Sequence, residues 1–108
     1  MMPNICVIGT GNWGMNHVRT LAELNALGGI VETDESKRDE IDNTFPDVKV
    51  FESVSKALQY GFDGYTVATP PESHFLIGKE VLEAGFPVLI EKPMTLDVGE
   101  SMELVQLA

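Results

Sequence analysis

The chain has 108 residues, 44% of them hydrophobic, with 17 acidic against 7 basic side chains and a formal net charge of −10 at pH 7. That is one ordinary globular domain, large enough to bury a core without a disulfide or metal staple, and its short apolar runs fall far below the ~20 residues that span a bilayer. The charge repels phosphate backbones and the basic residues are scattered, which excludes electrostatically driven nucleic-acid binding as an expectation.

Met1-Met2-Pro3 opens directly into residues 4–8, a run rich in β-branched side chains, so a buried strand is predicted and no leader peptide or membrane anchor is expected. Cys6, the single cysteine, lies in that run and is expected to pack as a small hydrophobe, in keeping with a reducing cytoplasm. The strand stops at Gly9-Thr10-Gly11. Apolar residues Met15, Val18, Leu21, Ala22 and Leu24 then recur at helical spacing over 15–27. Gly28-Gly29 is expected to break that helix, with Ile30-Val31 beginning a second strand that ends in Glu32-Thr33-Asp34-Glu35. Ser36 is the expected N-cap of a helix running to about Phe45, stopped by Pro46-Asp47. Seven acids lie between Glu32 and Asp47 beside Lys37 and Arg38, and they suit either a solvated helical face or a partner surface.

Residues 48–51 alternate like a short strand, and Ser53 is placed to cap a brief helix over 54–59 closed by Tyr60-Gly61. Residues 64–68 read as the next strand, ended by Pro70-Pro71. Ser73 is the expected cap of a helix that stops at Gly85. Residues 87–90 form a fifth strand running into Glu91-Lys92-Pro93, and a last helix begins near Asp97. Five strands alternating with five helical segments predict a doubly wound parallel sheet, a three-layer α/β/α domain over 1–108. In such a sheet ligands bind beyond the carboxyl ends of the strands, so the tips at 9–14, 32–35, 69–74 and 91–93 are the places to look.

Residues Gly9, Gly11 and Gly14, with Asn12 and Trp13 between the last two, fit G-x-G-x-x-G between a strand and a helix. The first glycine permits the sharp turn, the second lets backbone approach a pyrophosphate, and the third lets helix and strand pack closely. Helix-start amides then face the phosphates. Glu32, 18 residues after Gly14, is near the spacing at which an acid accepts hydrogen bonds from an adenosine ribose. Asp34 is the alternative if the strand runs further. A carboxylate there repels a 2′-phosphate, which favours NAD over NADP; Lys37 and Arg38, the candidates for holding such a phosphate, read better as decoration of an exposed helix. Thr69, Pro70 and Pro71 form either a wall against the cofactor or a rigid loop that only starts a helix, and His74 beyond them is either structural or a site residue. Glu91 and Lys92 put a carboxylate and an ammonium at the same end of the sheet as the glycine loop. A lysine there can stabilise an alkoxide as hydride leaves, although the triplet alone also suits a surface ion pair. Pro93 restrains the backbone that follows. No metal site is expected.

Taken together, the glycine loop, Glu32, Thr69-Pro70 leading to His74, and Glu91-Lys92-Pro93 resemble the Gfo/Idh/MocA family of nicotinamide-dependent oxidoreductases over nearly the whole chain. Residues 11–19 are similar to the version found among nucleotide-sugar 3-dehydrogenases. The resemblance implies a Rossmann-like NAD-binding domain, with Thr69, Pro70 and Glu91 lining the cofactor and Lys92 contacting the nicotinamide ribose and the reacting hydroxyl of a sugar or polyol. Glu32 departs from the aspartate usual in the family. The resemblance also implies a second α/β domain supplying the substrate pocket and most of an oligomer interface, so this chain is expected to be the cofactor domain alone, inactive by itself and homo-oligomeric only with that missing part. A stand-alone, non-catalytic dinucleotide-binding or sensing module is the competing expectation. An adenosylmethionine-dependent methyltransferase is a third, disfavoured by the third glycine and by Glu91-Lys92-Pro93.

Overall fold

A computed structural model of the chain describes residues 3–92, 95 and 97–108. Met1, Met2 and Pro93, on which two of the readings above fall, lie outside the described residues. The elements in order are β1 (Ile5–Ile8), α1 (Asn12–Glu23), β2 (Leu27–Val31), α2 (Glu35–Thr44), β3 (Lys49–Phe51), α3 (Val54–Tyr60), β4 (Gly64–Val67), a 3-10 turn (Pro71–Ser73), α4 (His74–Glu83), β5 (Val88–Ile90) and α5 (Val98–Leu107). The strands form one sheet in the order β3-β2-β1-β4-β5, and every neighbouring pair is parallel. This is the doubly wound fold expected from the alternation of strands and helices.

Strand alternation divides the core between the two faces of the sheet. Cys6 and Ile8 point to one side, where they meet Val31, Tyr65 and Val67 beneath Ala57 of α3 and Val81 of α4. Val7 and Ile30 point to the other side and pack against Val18 of α1 and Ile41 of α2. Helix α5 stacks on α4 through buried Leu104, whose methyl groups would stand 3.5 Å from a Cβ at Gly78. Leu89 of β5 shares the α1 side of the sheet with its register partner Thr66, yet it is 58% exposed because no described helix covers that edge.

Three boundaries differ from the sequence expectation. Residues 27–29 belong to β2 and not to a helix end: α1 stops at Glu23, and Asn25 turns the chain with a φ of 58°. Asparagine tolerates that left-handed conformation, so a turn was available without glycine. Gly29 is needed inside the strand for space, since a Cβ there would sit 2.4 Å from the ring of Phe62. Asp34, not Ser36, caps α2: its carboxylate accepts from the Ser36 amide at 3.0 Å and from the Ser36 hydroxyl at 2.8 Å. Ser73 stands at the start of α4 without capping it, because its hydroxyl donates back to the Pro70 carbonyl and pairs with the Thr69 hydroxyl. Ser53 caps α3 as expected, accepting from the Lys56 amide, and Gly61 closes that helix at φ 82°.

Candidate cofactor site at the strand tips

Hydrogen bonds between the residues just past the strand ends align the tips into one edge. The Glu32 amide donates to the Phe51 carbonyl at 3.0 Å, the Gly9 amide to Val31 at 2.9 Å, the Ala68 amide to Ile8 at 2.8 Å and the Glu91 amide to Val67 at 3.0 Å. The chain leaves β1 toward β2 and β3 on one side and later returns to β4 on the other, so β1 and β4 flank the topological switch point. A cavity of about 540 Å³ opens there, walled by Gly9, Gly11, Asn12 and Trp13 on one side, Glu32 and Lys37 at one end, and Thr69, Pro70 and Pro71 opposite. That volume is in the range of small-molecule sites.

Gly9 and Gly14 take the backbone roles that the pattern assigns to its first and third glycines. Gly9 takes φ 100°, a turn that a side chain would strain, and a Cβ at Gly14 would lie 2.0 Å from the Gly9 carbonyl oxygen. Gly14 therefore sits behind the cavity as the contact that seats α1 on the turn. Gly11 is the residue at the start of α1, and a Cβ there would meet nothing within 4 Å. The space in front of the first-turn amides is open, which is the arrangement that takes a pyrophosphate at a helix N-terminus. Trp13, 67% exposed, forms the lip.

At the second tip the two candidate acids have separate jobs. Asp34 is committed to Ser36, whereas the Glu32 carboxylate stands in the cavity wall with both oxygens engaged. Its Oε1 accepts from the Thr10 hydroxyl, and its Oε2 accepts from the Asp34 amide at 2.9 Å. Partial burial pushes the Glu32 carboxyl up, but the Thr10 and Asp34 hydrogen bonds, with the nearby Lys37 ammonium, outweigh it and hold the group below the usual range. Arg38 Nη1 donates to the Glu32 and Thr33 carbonyls at 3.0 and 2.9 Å, bracing the backbone of this tip.

At the fourth tip, Thr69, Pro70 and Pro71 make a wall fixed from behind. His74 is buried, and its Nε2 donates to the Thr69 carbonyl at 2.8 Å, so it supports the wall without facing the cavity. The fifth tip lies on the same edge but outside the cavity walls. There the Glu91 carboxylate hydrogen-bonds His17 of α1, both groups being partly buried, and Lys92 beside it is exposed.

Thr10, Val54 and Ile77 also line the cavity, and sequence reasoning did not pick them out. Thr10 occupies a position of the glycine motif open to any residue. Val54 directly follows the Ser53 cap and Ile77 lies on the core stripe of α4, so each read as ordinary packing. Lys37, set aside as surface decoration, stands in the cavity wall. Among the described residues no helix is long and apolar enough to cross a membrane.

Comparison with known proteins gives the same picture. The chain is 32% identical over 102 residues to the UDP-N-acetylglucosamine 3-dehydrogenase of Acidithiobacillus ferrooxidans, covering 94% of this chain and 32% of that protein. The solved structure of that enzyme superposes with a TM-score of 0.90 at 30% identity, over all of this chain and 35% of the other. Inositol 2-dehydrogenase of Leifsonia xyli is 31% identical over 103 residues, which cover 92% of this chain and 30% of that protein. The WlbA dehydrogenase of Bordetella pertussis, solved in complex with NADH and UDP-GlcNAcA, superposes with a TM-score of 0.91 at 25% identity, covering 99% of this chain and 33% of that one. The chain thus spans about a third of the length of these relatives. Residues 3–108 match the family described as the GFO_IDH_MocA oxidoreductase family, NAD-binding Rossmann fold, and the chain belongs to that family as its NAD-binding domain.

Proposed function

We propose that this domain serves an oxidoreductase that passes a hydride between NAD and the carbon bearing a secondary hydroxyl of a sugar, nucleotide-sugar or polyol. The observation that carries the proposal is the cavity at the switch point, where a glycine turn, open helix-start amides and a held carboxylate face one another. The relatives' names support the substrate class, since they act on UDP-N-acetylglucosamine and on inositol. In this reading the Gly11, Asn12 and Trp13 backbone receives the pyrophosphate, Glu32 accepts the adenosine ribose hydroxyls, and Thr69 with Pro70 and Pro71 bounds the nicotinamide half. Bound NAD supplies the hydride acceptor. Lys92 Nζ hydrogen-bonds the substrate oxygen and stabilises the alkoxide formed when the hydroxyl proton is released to solvent; the carbinol C–H then leaves as hydride and the alkoxide becomes a carbonyl. Glu91, held by His17, anchors the tip that carries Lys92. The buried Cys6 thiol supports a cytoplasmic location, and the substrate pocket belongs to the two thirds of the relatives' length that this chain does not span.

Calorimetric titration of the chain with NAD, NADP and S-adenosylmethionine tests the cofactor. Saturable binding of NAD, with NADP weaker, is expected; binding of adenosylmethionine without NAD overturns the reading. In the full-length enzyme, Lys92→Ala should lower kcat by roughly 10²–10⁴-fold, the range for loss of a proton-handling group, while NAD affinity stays nearly constant. An unchanged kcat removes Lys92 from the chemistry.

A further inference from the structure

The acid at the second tip is a glutamate, which has three side-chain torsions to fix before its carboxylate holds one position. Left to solvent, it would share its time between the cavity and the Lys37 ammonium in the same wall. Two contacts stop this. The Asp34 amide holds Oε2 from within the tip, and the Thr10 hydroxyl holds Oε1 from across the strand boundary, inside the glycine turn itself. Thr10 is 9% exposed and is carried between Gly9 and Gly11, so its hydroxyl has little freedom to leave. A carboxylate has about four lone-pair positions, and these two bonds use one on each oxygen. One acceptor site per oxygen therefore remains for a pair of neighbouring ribose hydroxyls.

We infer that Thr10 is the residue that sets the preference for NAD over NADP, by holding the Glu32 carboxylate where it receives two ribose hydroxyls and repels a 2′-phosphate. This deepens the proposed function and rests on it. Thr10 is a positioning residue that acts through Glu32. Lys37 is a cation in the wall beside Glu32, and it is the group toward which a released carboxylate swings. Removing the hydroxyl frees Glu32 to turn toward Lys37, which weakens the ribose contact and relaxes the repulsion together. Arg38 is not in the cavity wall, and its Nη1 is tied to the Glu32 and Thr33 carbonyls of the tip backbone.

The test is the ratio of NADP to NAD dissociation constants, measured by calorimetry on the 108-residue chain. Thr10→Val keeps the shape and removes the hydroxyl, and it should reduce that ratio by about tenfold, the lower end of what a hydrogen bond to a charged group is worth. Thr10→Ser restores the hydroxyl and should return the ratio to near the wild-type value, a rescue that a purely structural role of the threonine would not give. In a Glu32→Gln background Thr10→Val should leave the ratio unchanged, because the group it positions no longer carries the charge. A wild-type ratio in Thr10→Val, equal losses in the valine and serine variants, or an undiminished effect of Thr10→Val on the Glu32→Gln background each overturns the inference while NAD binding by the wild type leaves the proposed function standing. Failure of the wild-type chain to bind NAD instead removes the proposed function itself. If the valine variant does not fold, Thr10→Ala carries the same comparison.

Discussion

Burial sets the chemistry of Cys6. With no water to solvate a thiolate at the centre of the sheet, its thiol is pushed up to about 12, so the native protein holds almost no nucleophilic sulfur near neutral pH. A disulfide reagent at pH 8 should label it only after denaturant is added; rapid labelling of the folded chain would show that the strand opens. Glu32 behaves in the opposite sense. Its folded value lies below that of an unfolded glutamate, ~4.3, so its contribution to stability is complete above that pH and is lost as pH falls through the lower, folded value. Urea midpoints measured from pH 6 to pH 3 should show the wild type ahead of Glu32→Gln at the top of this range and the advantage shrinking below about pH 4. At this scale the glycines were legible in advance because their order encodes a backbone requirement. Thr10 was not, because its partner is 22 residues away and no local pattern announces a hydroxyl that reaches across two strand ends.

Between residue and fold, elements were legible by type and blurred at their ends. The five strands declare themselves through apolar runs closed by turn residues, whereas the start of β2 was hidden by two glycines that ordinarily mark a break. Their roles now separate. A Cβ at Gly28 would collide with the exposed, movable Asn4 side chain, while one at Gly29 meets the Phe62 ring, which is buried and packed edge-on against Tyr65 at 5.8 Å. Gly29→Ala should therefore cost about 1–3 kcal/mol, as overpacked cores do, and Gly28→Ala much less; equal midpoints in thermal melts would contradict this. Caps follow the same logic. Ser53→Ala should destabilise by about 1 kcal/mol through loss of the Lys56 amide contact. Asp34→Ala should lower Tm more than Ser36→Ala, since the aspartate is the acceptor and the serine the donor of that cap.

For the molecule as a whole, the parallel sheet was legible because crossovers between successive strands leave few alternatives. The strand order and the line of tip hydrogen bonds were not, since these are tertiary choices with no local signature. Charge adds a whole-molecule effect. A net −10 surrounds a site that must receive an anionic pyrophosphate, so long-range repulsion slows encounter until salt screens it. Stopped-flow association of NAD should accelerate between about 20 and 200 mM NaCl, where the screening length shrinks through ~10 Å; a falling rate would mean that the local field of the amides and Lys37 dominates.

The seating of α1 on the Gly9 carbonyl has one more effect. With the turn wedged against the helix, and its amide and that of Ala68 tied to adjoining strands, the turn that the proposed function assigns to the pyrophosphate is braced before anything arrives. Capture is then closer to a key entering a finished lock than to a hand closing, and little ordering entropy is lost on docking. Amide hydrogen exchange over residues 9–14 should slow only where the ligand itself shields a group, leaving the neighbouring turn as protected before capture as after it.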